Sequence, residues 1–142
     1  QTVTNDSAAT HGGGVVVKKE NGKSLVLLVS SKKTGDWVVP KGHRDPKKEK
    51  PSELESSEET AVREVEEEAG YVAEIVAYLG ETPRYTFNGE SILVSYYLMF
   101  LLSDEPKPAE DRKKEWVEIS RAIQMVKSED LKRLLREVAL IV

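Results

Sequence analysis

At 142 residues the chain is long enough for one domain with a core of its own, burying about 68–70% of its unfolded surface. Its 39% hydrophobic and 32% charged residues exclude a disordered chain, and no apolar stretch approaches the roughly 20 residues of a membrane-spanning helix. A net charge of −4 gives no general attraction for a nucleic-acid polymer, and the lack of cysteine excludes disulfides, thiolate metal ligands and a thiol nucleophile. Any metal must therefore be held by oxygen or imidazole.

Residues 1–10 are small and polar, without the basic start and apolar block of a secretory signal, and read as a loose tail before one domain over 11–142. A cytoplasmic location is the corresponding expectation. Gly14 to Lys19 and Ser24 to Ser30 are strand-like runs joined through Asn21-Gly22, a strong hairpin signal. Trp37 to Val39 is a third short strand, ended by Pro40, which has no N–H to give to a ladder. A basic stretch follows, with Lys41, Arg44, Lys47, Lys48 and Lys50, and behind it an acidic one from Glu53 to Glu68. Ser56 or Ser57 can cap a helix that runs to Ala69 and stops at Gly70. Val72 to Leu79 and Ile92 to Leu102 read as strands flanking a turn near Asn88-Gly89, and Glu115 to Ile119 as a last strand. A short helix over Arg121 to Val126 and a longer one after Ser128 close the chain, the latter with Leu131, Leu134, Leu135, Val138 and Ile141 at helical spacing. His11 and His43 look like isolated surface or turn residues.

The central helix carries the chemistry. Glu64, Glu67 and Glu68 stand at i, i+3 and i+4 and share one face, while Ala61, Val62, Val65 and Ala69 form a separate apolar stripe. Like charges at this spacing repel by about 0.2–0.5 kcal/mol per pair, a cost that a divalent cation removes. Carboxylate-only ligation selects Mg²⁺ or Mn²⁺, and Mg²⁺ usually shares its coordination with substrate phosphates. The pattern alone also fits a solvated acidic face.

The surroundings narrow that choice. Glu55, seven intervening residues, Arg63-Glu64, Val65, Glu66, Glu67-Glu68, Ala69, Gly70 and Tyr71 resemble the Nudix box, G-x5-E-x7-R-E-U-x-E-E-x-G-U, where U is a bulky apolar residue. Trp37 to His43 looks like the strand and glycine turn that lead into it. Gly42 lies thirteen positions before Glu55 rather than six, which implies seven extra residues between His43 and Leu54, an insertion that costs little closure entropy.

The resemblance implies a Nudix-type α/β/α sandwich, with a mixed sheet, the box helix on one side and the C-terminal helix on the other. It makes Glu64, Glu67 and Glu68 ligands of Mg²⁺, with Mn²⁺ possible and a backbone carbonyl near Lys41-Gly42 completing the site. Arg63 becomes the partner that fixes Glu55 and Glu67. The implied reaction is attack of water on phosphorus in a nucleoside diphosphate linked to another group; the base is either one of the box glutamates or a remote acid, with Glu110, Glu115 and Glu118 as the remote candidates.

Substrate choice lies outside the box. The segment from Tyr78 through Tyr85 to Phe87 resembles the corresponding strand of diadenosine tetraphosphate hydrolases, where Tyr85 would stack on the base. Arg84, Lys33 and Lys41 join Tyr85 as expected substrate contacts. The alternative is a diphosphoinositol polyphosphate phosphohydrolase gripped by Lys32, Lys33, Lys41, His43, Arg44, Lys47, Lys48 and Lys50; a third reading, of another class, is a Nudix-like module that senses a nucleotide without cutting it. The expected partner is a small nucleotide, with neither a nucleic-acid polymer nor a membrane, and the sequence leaves the oligomeric state open.

Overall fold

The computed structural model describes residues 8–142. Its elements are β1 (His11–Glu20), β2 (Lys23–Ser30), β3 (Trp37–Val38), β4 (Lys41–His43), α1 (Ser57–Ala69), β5 (Ala73–Glu81), β6 (Tyr85–Phe87), β7 (Glu90–Ile92), β8 (Val94–Leu101), β9 (Lys114–Glu118), α2 (Ile119–Met125) and α3 (Glu129–Ala139). The main sheet runs β3-β2-β1-β8-β5, with β4 also paired to β1 and β9 to β2. It is mixed, because β1 and β8 are parallel and the other pairings are antiparallel.

Strand alternation divides the core into two layers. Val15 and Val17 of β1, Val26 and Leu28 of β2 and Leu98 of β8 face Ala122, Leu131, Leu134, Leu135 and Val138 of α2 and α3. Their neighbours Val16, Leu27, Val29, Tyr97 and Met99 face Ala61, Val65 and Ala69 of α1. A period of two on strands and 3.6 on helices thus builds the expected α/β/α sandwich.

Local chemistry sets the ends of α1. Ser56 caps it with a reciprocal capping box to Glu59, and Gly70 ends it in the left-handed region at φ 80°. The helix lies so close to β1 that a Cβ at Gly12 would collide with the backbone oxygen of Ser57.

Several expected boundaries shift for identifiable reasons. Lys41 to His43 is a strand, not the start of a loop: Pro40 lacks a donor, but its carbonyl accepts from the Gly14 N–H at 3.0 Å and carries the chain onto β1. The run from Ile92 to Leu102 breaks at Leu93, whose carbonyl accepts from the N–H groups of both Thr10 and His11, so β7 joins the separate β6–β7 hairpin and β8 the main sheet. Ile141 lies past the end of α3 and is 61% exposed, outside the apolar stripe in which its spacing had placed it. Of the expected tail, residues 1–7 fall outside the described residues. Ala9 is buried and Thr10 is bonded to Leu93, so the ordered fold begins before His11.

Candidate active site

Arg63 is the hub of the acidic helix. Its Nε and Nη2 donate to Glu55 at 2.7 and 2.9 Å, and its Nη1 donates to Glu64 at 2.9 Å and Glu67 at 3.0 Å. Nη2 also donates to the His43 carbonyl at 2.9 Å. Burial raises the Glu55 pKa, but hydrogen bonds from Arg63, the Asp45 backbone and Thr60 outweigh it and keep this carboxyl below its ordinary value. Glu64 adds a contact to those expected of Arg63.

The three box carboxylates do not gather at one point; among the described residues no such trio surrounds a common centre. Glu64 and Glu68 turn inward and share a hydrogen bond, whereas Glu67 stays 48% exposed on Arg63. Burial first, and then Glu64, push the Glu68 carboxyl up to about 9, and burial also raises Glu64. Desolvation of the two neighbouring acids disfavours charge on either of them. Gly42 lies against the Glu64 carboxylate so closely that a Cβ there would overlap it.

The insertion after Gly42 folds back on itself. A Pro46–Leu54 bridge, the Lys47 N–H to the Glu53 carbonyl at 2.9 Å and the Glu55 N–H to the Asp45 carbonyl at 2.8 Å close its stem. Arg44 then ties the stem down through the Glu55 carbonyl at 2.6 Å and the Ala9 carbonyl at 3.0 Å. The extra residues therefore project as a unit, leaving Gly42 and Glu55 beside the helix.

Two of the clefts beside α1 are distinguished by their charge. One, of ≈ 370 Å³, is lined by Lys32, Lys33, Lys41 and Arg112 against Glu68 and Glu90, with Tyr85 and Phe87 as aromatic wall. The other, of ≈ 560 Å³, sets Lys47, Lys48 and Arg63 among Asp45, Glu49, Glu55, Glu59, Glu66 and Glu67. The first is a net cationic cleft that ends on a box glutamate; the second is net acidic. The basic stretch that looked continuous in sequence is thus split. Lys47 and Lys50 pair with Glu53 at 3.3 and 3.0 Å instead of facing the aromatic cleft.

Tyr85, Lys33 and Lys41 line the cationic cleft, with the Lys33 ammonium 4.0 Å from the Phe87 ring centre. Burial lowers the Lys41 pKa, partly offset by Glu68. Arg84 is not among the lining residues and donates to Ser91 at 2.9 Å across the hairpin. Of the remote acids, Glu110 reaches the site, its N–H bonded to the Glu67 carbonyl at 2.9 Å. Glu115 faces outward on β9 opposite Leu28, and Glu118 pairs with Lys23.

The histidines are neither isolated nor both at the surface. His11 is buried with its ring 4.0 Å from that of His43, and His43 Nε2 lies 2.8 Å from Glu90, which latches the β6–β7 hairpin to β4. Arg112 was not visible in the sequence as a site residue. It lies 44 positions after Glu68 and no local spacing links them, yet its Nη1 comes within 3.8 Å of Glu68.

Glu68 of the acidic helix thus stands at the end of a cationic, aromatic-walled cleft. The chain belongs to the Nudix family: the family model described as NUDIX domain matches residues 11–138. Among solved structures it is similar to the C. elegans Ap4A hydrolase in a binary complex, with a TM-score of 0.77 and 26% identity over 94% of this chain and 96% of that one. A second structure of C. elegans Ap4A hydrolase gives 0.71 and 27%, covering 92% and 95%. A curated Bacillus subtilis (strain 168) relative named "Putative 8-oxo-dGTP diphosphatase" is 39% identical over 84 residues, 59% of this chain. The match spans half the length of that relative.

Proposed function

We propose that this protein hydrolyses a phosphoanhydride bond in a nucleoside diphosphate-linked substrate, with a dinucleoside polyphosphate such as diadenosine tetraphosphate as the preferred one. The observation that carries this reading is the joining of Tyr85 and Phe87 with Lys32, Lys33, Lys41 and Arg112 in one cleft that ends on Glu68. Base stacking and phosphate binding are thereby offered side by side, in the order a nucleotide presents them. The likeness to C. elegans Ap4A hydrolase supports the choice of substrate.

The donor set fits a hard divalent cation, since Glu64 and Glu68 are largely desolvated oxygen donors, and the missing side chain of Gly42 lets the Glu64 carboxylate lie against the backbone there. Glu64, Glu67, Glu68 and the backbone at Gly42 would hold Mg²⁺, or Mn²⁺ in its place. Once bound, the ion supplies Lewis-acid stabilisation of charge on the phosphates and a more acidic water. Arg63 orients Glu64, Glu67 and Glu55; the cleft cations bind and align the phosphate chain; the aromatic wall fixes the nucleoside.

A diphosphoinositol substrate is less well supported, because Lys47 and Lys50 are held by Glu53 beside a net acidic cleft. A purely sensing module is disfavoured because every box acid is present. The Bacillus relative's name favours 8-oxo-dGTP as the second nucleotide to try. The test is turnover with Mg²⁺ of diadenosine tetraphosphate, 8-oxo-dGTP, ADP-ribose and a diphosphoinositol, resolving products by anion-exchange chromatography. Highest kcat/KM on diadenosine tetraphosphate is expected. No Mg²⁺-dependent turnover of any of the four would overturn the reading.

A further inference from the structure

The loop before β9 delivers two residues to the edge of the cationic cleft that the box does not encode. Arg112 Nε donates to Glu110 at 2.8 Å, and its Nη1 donates to the Ser30 carbonyl at 3.1 Å. Lys32 shares the same Glu110 carboxylate oxygen at 3.3 Å. Sheet pairing fixes the place of this cluster, since the Ser30 N–H donates to the Lys113 carbonyl at 2.9 Å and the Lys113 N–H to Ser30 Oγ at 3.0 Å. The Arg112 side chain is only 14% exposed, so its position is defined by packing as well as by charge.

Arg112 and Lys32 both line the cationic cleft, and Glu110 is not among its lining residues. The two cations of the cleft wall are thus the ones paired with this carboxylate. Among the described residues no protein acceptor is bonded to Nη2 of Arg112, which leaves its N–H donors for an anion, while Nε is held by Glu110 and Nη1 by the Ser30 carbonyl, with Glu68 3.8 Å from Nη1. A guanidinium whose charge Glu110 partly offsets binds a phosphate more weakly than a bare one.

We propose that Arg112, with Lys32, is a positioning residue shared between Glu110 and a substrate phosphate, so that Glu110 acts as an internal competitor that weakens phosphate binding. The proposal rests on the phosphoanhydride reading of the cationic cleft. Competition has a consequence opposite in sign to that of a simple contact: removing the Glu110 charge strengthens phosphate binding, whereas removing Arg112 weakens it. It also limits how tightly the phosphate end is retained, a function served by an acid placed beside the cleft rather than in it.

The experiment is calorimetric titration, with Mg²⁺ present, of imidodiphosphate, a pyrophosphate analogue whose P–N–P bridge resists hydrolysis. Arg112→Ala is expected to weaken binding roughly tenfold or more, as for loss of a charged hydrogen bond, and Arg112→Lys to recover part of it. Glu110→Gln is expected to tighten binding severalfold in the wild-type background and to have no effect once Lys32→Ala and Arg112→Ala are both present. A packing role alone would not give tighter binding. Thermal melting of each variant shows whether it is folded; should Arg112→Ala not fold, the Glu110→Gln titration decides by itself. Unchanged or weaker binding by Glu110→Gln, or an effect that persists in the triple variant, overturns the competition. If Glu110→Gln leaves binding unchanged while Mg²⁺-dependent hydrolysis is normal, only this inference fails; if the wild-type protein binds no imidodiphosphate and hydrolyses no anhydride, the functional reading fails with it.

Discussion

Arg63 grips both carboxylate oxygens of Glu55, Nε to Oε2 at 2.7 Å and Nη2 to Oε1 at 2.9 Å. The pair spans the chain from the end of the insertion to the middle of α1, and the Glu55 side chain is only 13% exposed. Arg63→Ala leaves that carboxylate without its countercharge, so a loss of about 2–3 kcal/mol is expected, below the 3–5 kcal/mol of a fully buried pair because the Asp45 N–H and Thr60 still donate to it and water reaches part of the site. Arg63→Lys keeps the charge but not the fork, and should recover less than half of it. Urea unfolding checks both; a loss under 0.5 kcal/mol for Arg63→Ala would refute the bracing role.

Glu67→Gln and Glu68→Gln are expected to fold and to lose rate by at least about 100-fold, the upper end for perturbing the surroundings of a metal ligand. Glu68→Gln should also be more stable than the parent without Mg²⁺, since it removes an acid pushed up by burial. Both variants keeping near-normal Mg²⁺-dependent hydrolysis would show that the ligand assignment is wrong.

Gly42→Ala tests the close approach to Glu64. The added Cβ meets the far end of a flexible side chain, so the fold should lose little while the carboxylate is displaced. The expected result is a melting temperature within a few degrees of wild type together with a raised Mg²⁺ requirement, read from rate against Mg²⁺ concentration. An unchanged Mg²⁺ dependence would remove Gly42 from the site.

Specificity can be divided between the clefts. Tyr85→Ala should raise KM for diadenosine tetraphosphate by the equivalent of one lost stack, about 1–3 kcal/mol. Neutralising Lys47, Lys48 and Lys50 together should change it less, because Glu53 already holds two of the three. The reverse ranking, with strong loss of salt sensitivity in the lysine variant, would favour the diphosphoinositol substrate.

Burial, and secondarily His43 and Lys41, lowers the His11 pKa to about 4 from 6.5. The unfolded chain then binds more protons than the folded one between these values. The contribution of neutral His11 is therefore complete above pH 6.5 and is lost as pH falls through 6.5 towards 4, up to roughly 3 kcal/mol. Urea unfolding at pH 7, 5.5 and 4.5 should show His11→Asn flattening this slope; parallel slopes for the two proteins would refute it.

The sequence by itself determined the parts that depend on neighbours along the chain. The face shared by Glu64, Glu67 and Glu68, a serine cap at position 56 or 57, the stop at Gly70, the apolar stripe of α1 and that of α3 up to Val138 follow from helical periods and local capping acting over a few residues. The pairing of Arg63 with Glu55 was legible only through the resemblance of this segment to the Nudix box. Tertiary structure decided everything that joins distant segments at the site. It divided the lysines between two clefts of opposite charge, buried Glu68 while leaving Glu67 exposed on Arg63, brought the His11 ring against that of His43, and carried Arg112 across 44 positions to Glu68. Charge in a list of residues has no direction; only the packing of α1 on β1, β4, β5 and β8, and the pairing of β9 with β2, give each side chain a side to face, and burial then raises or lowers its pKa.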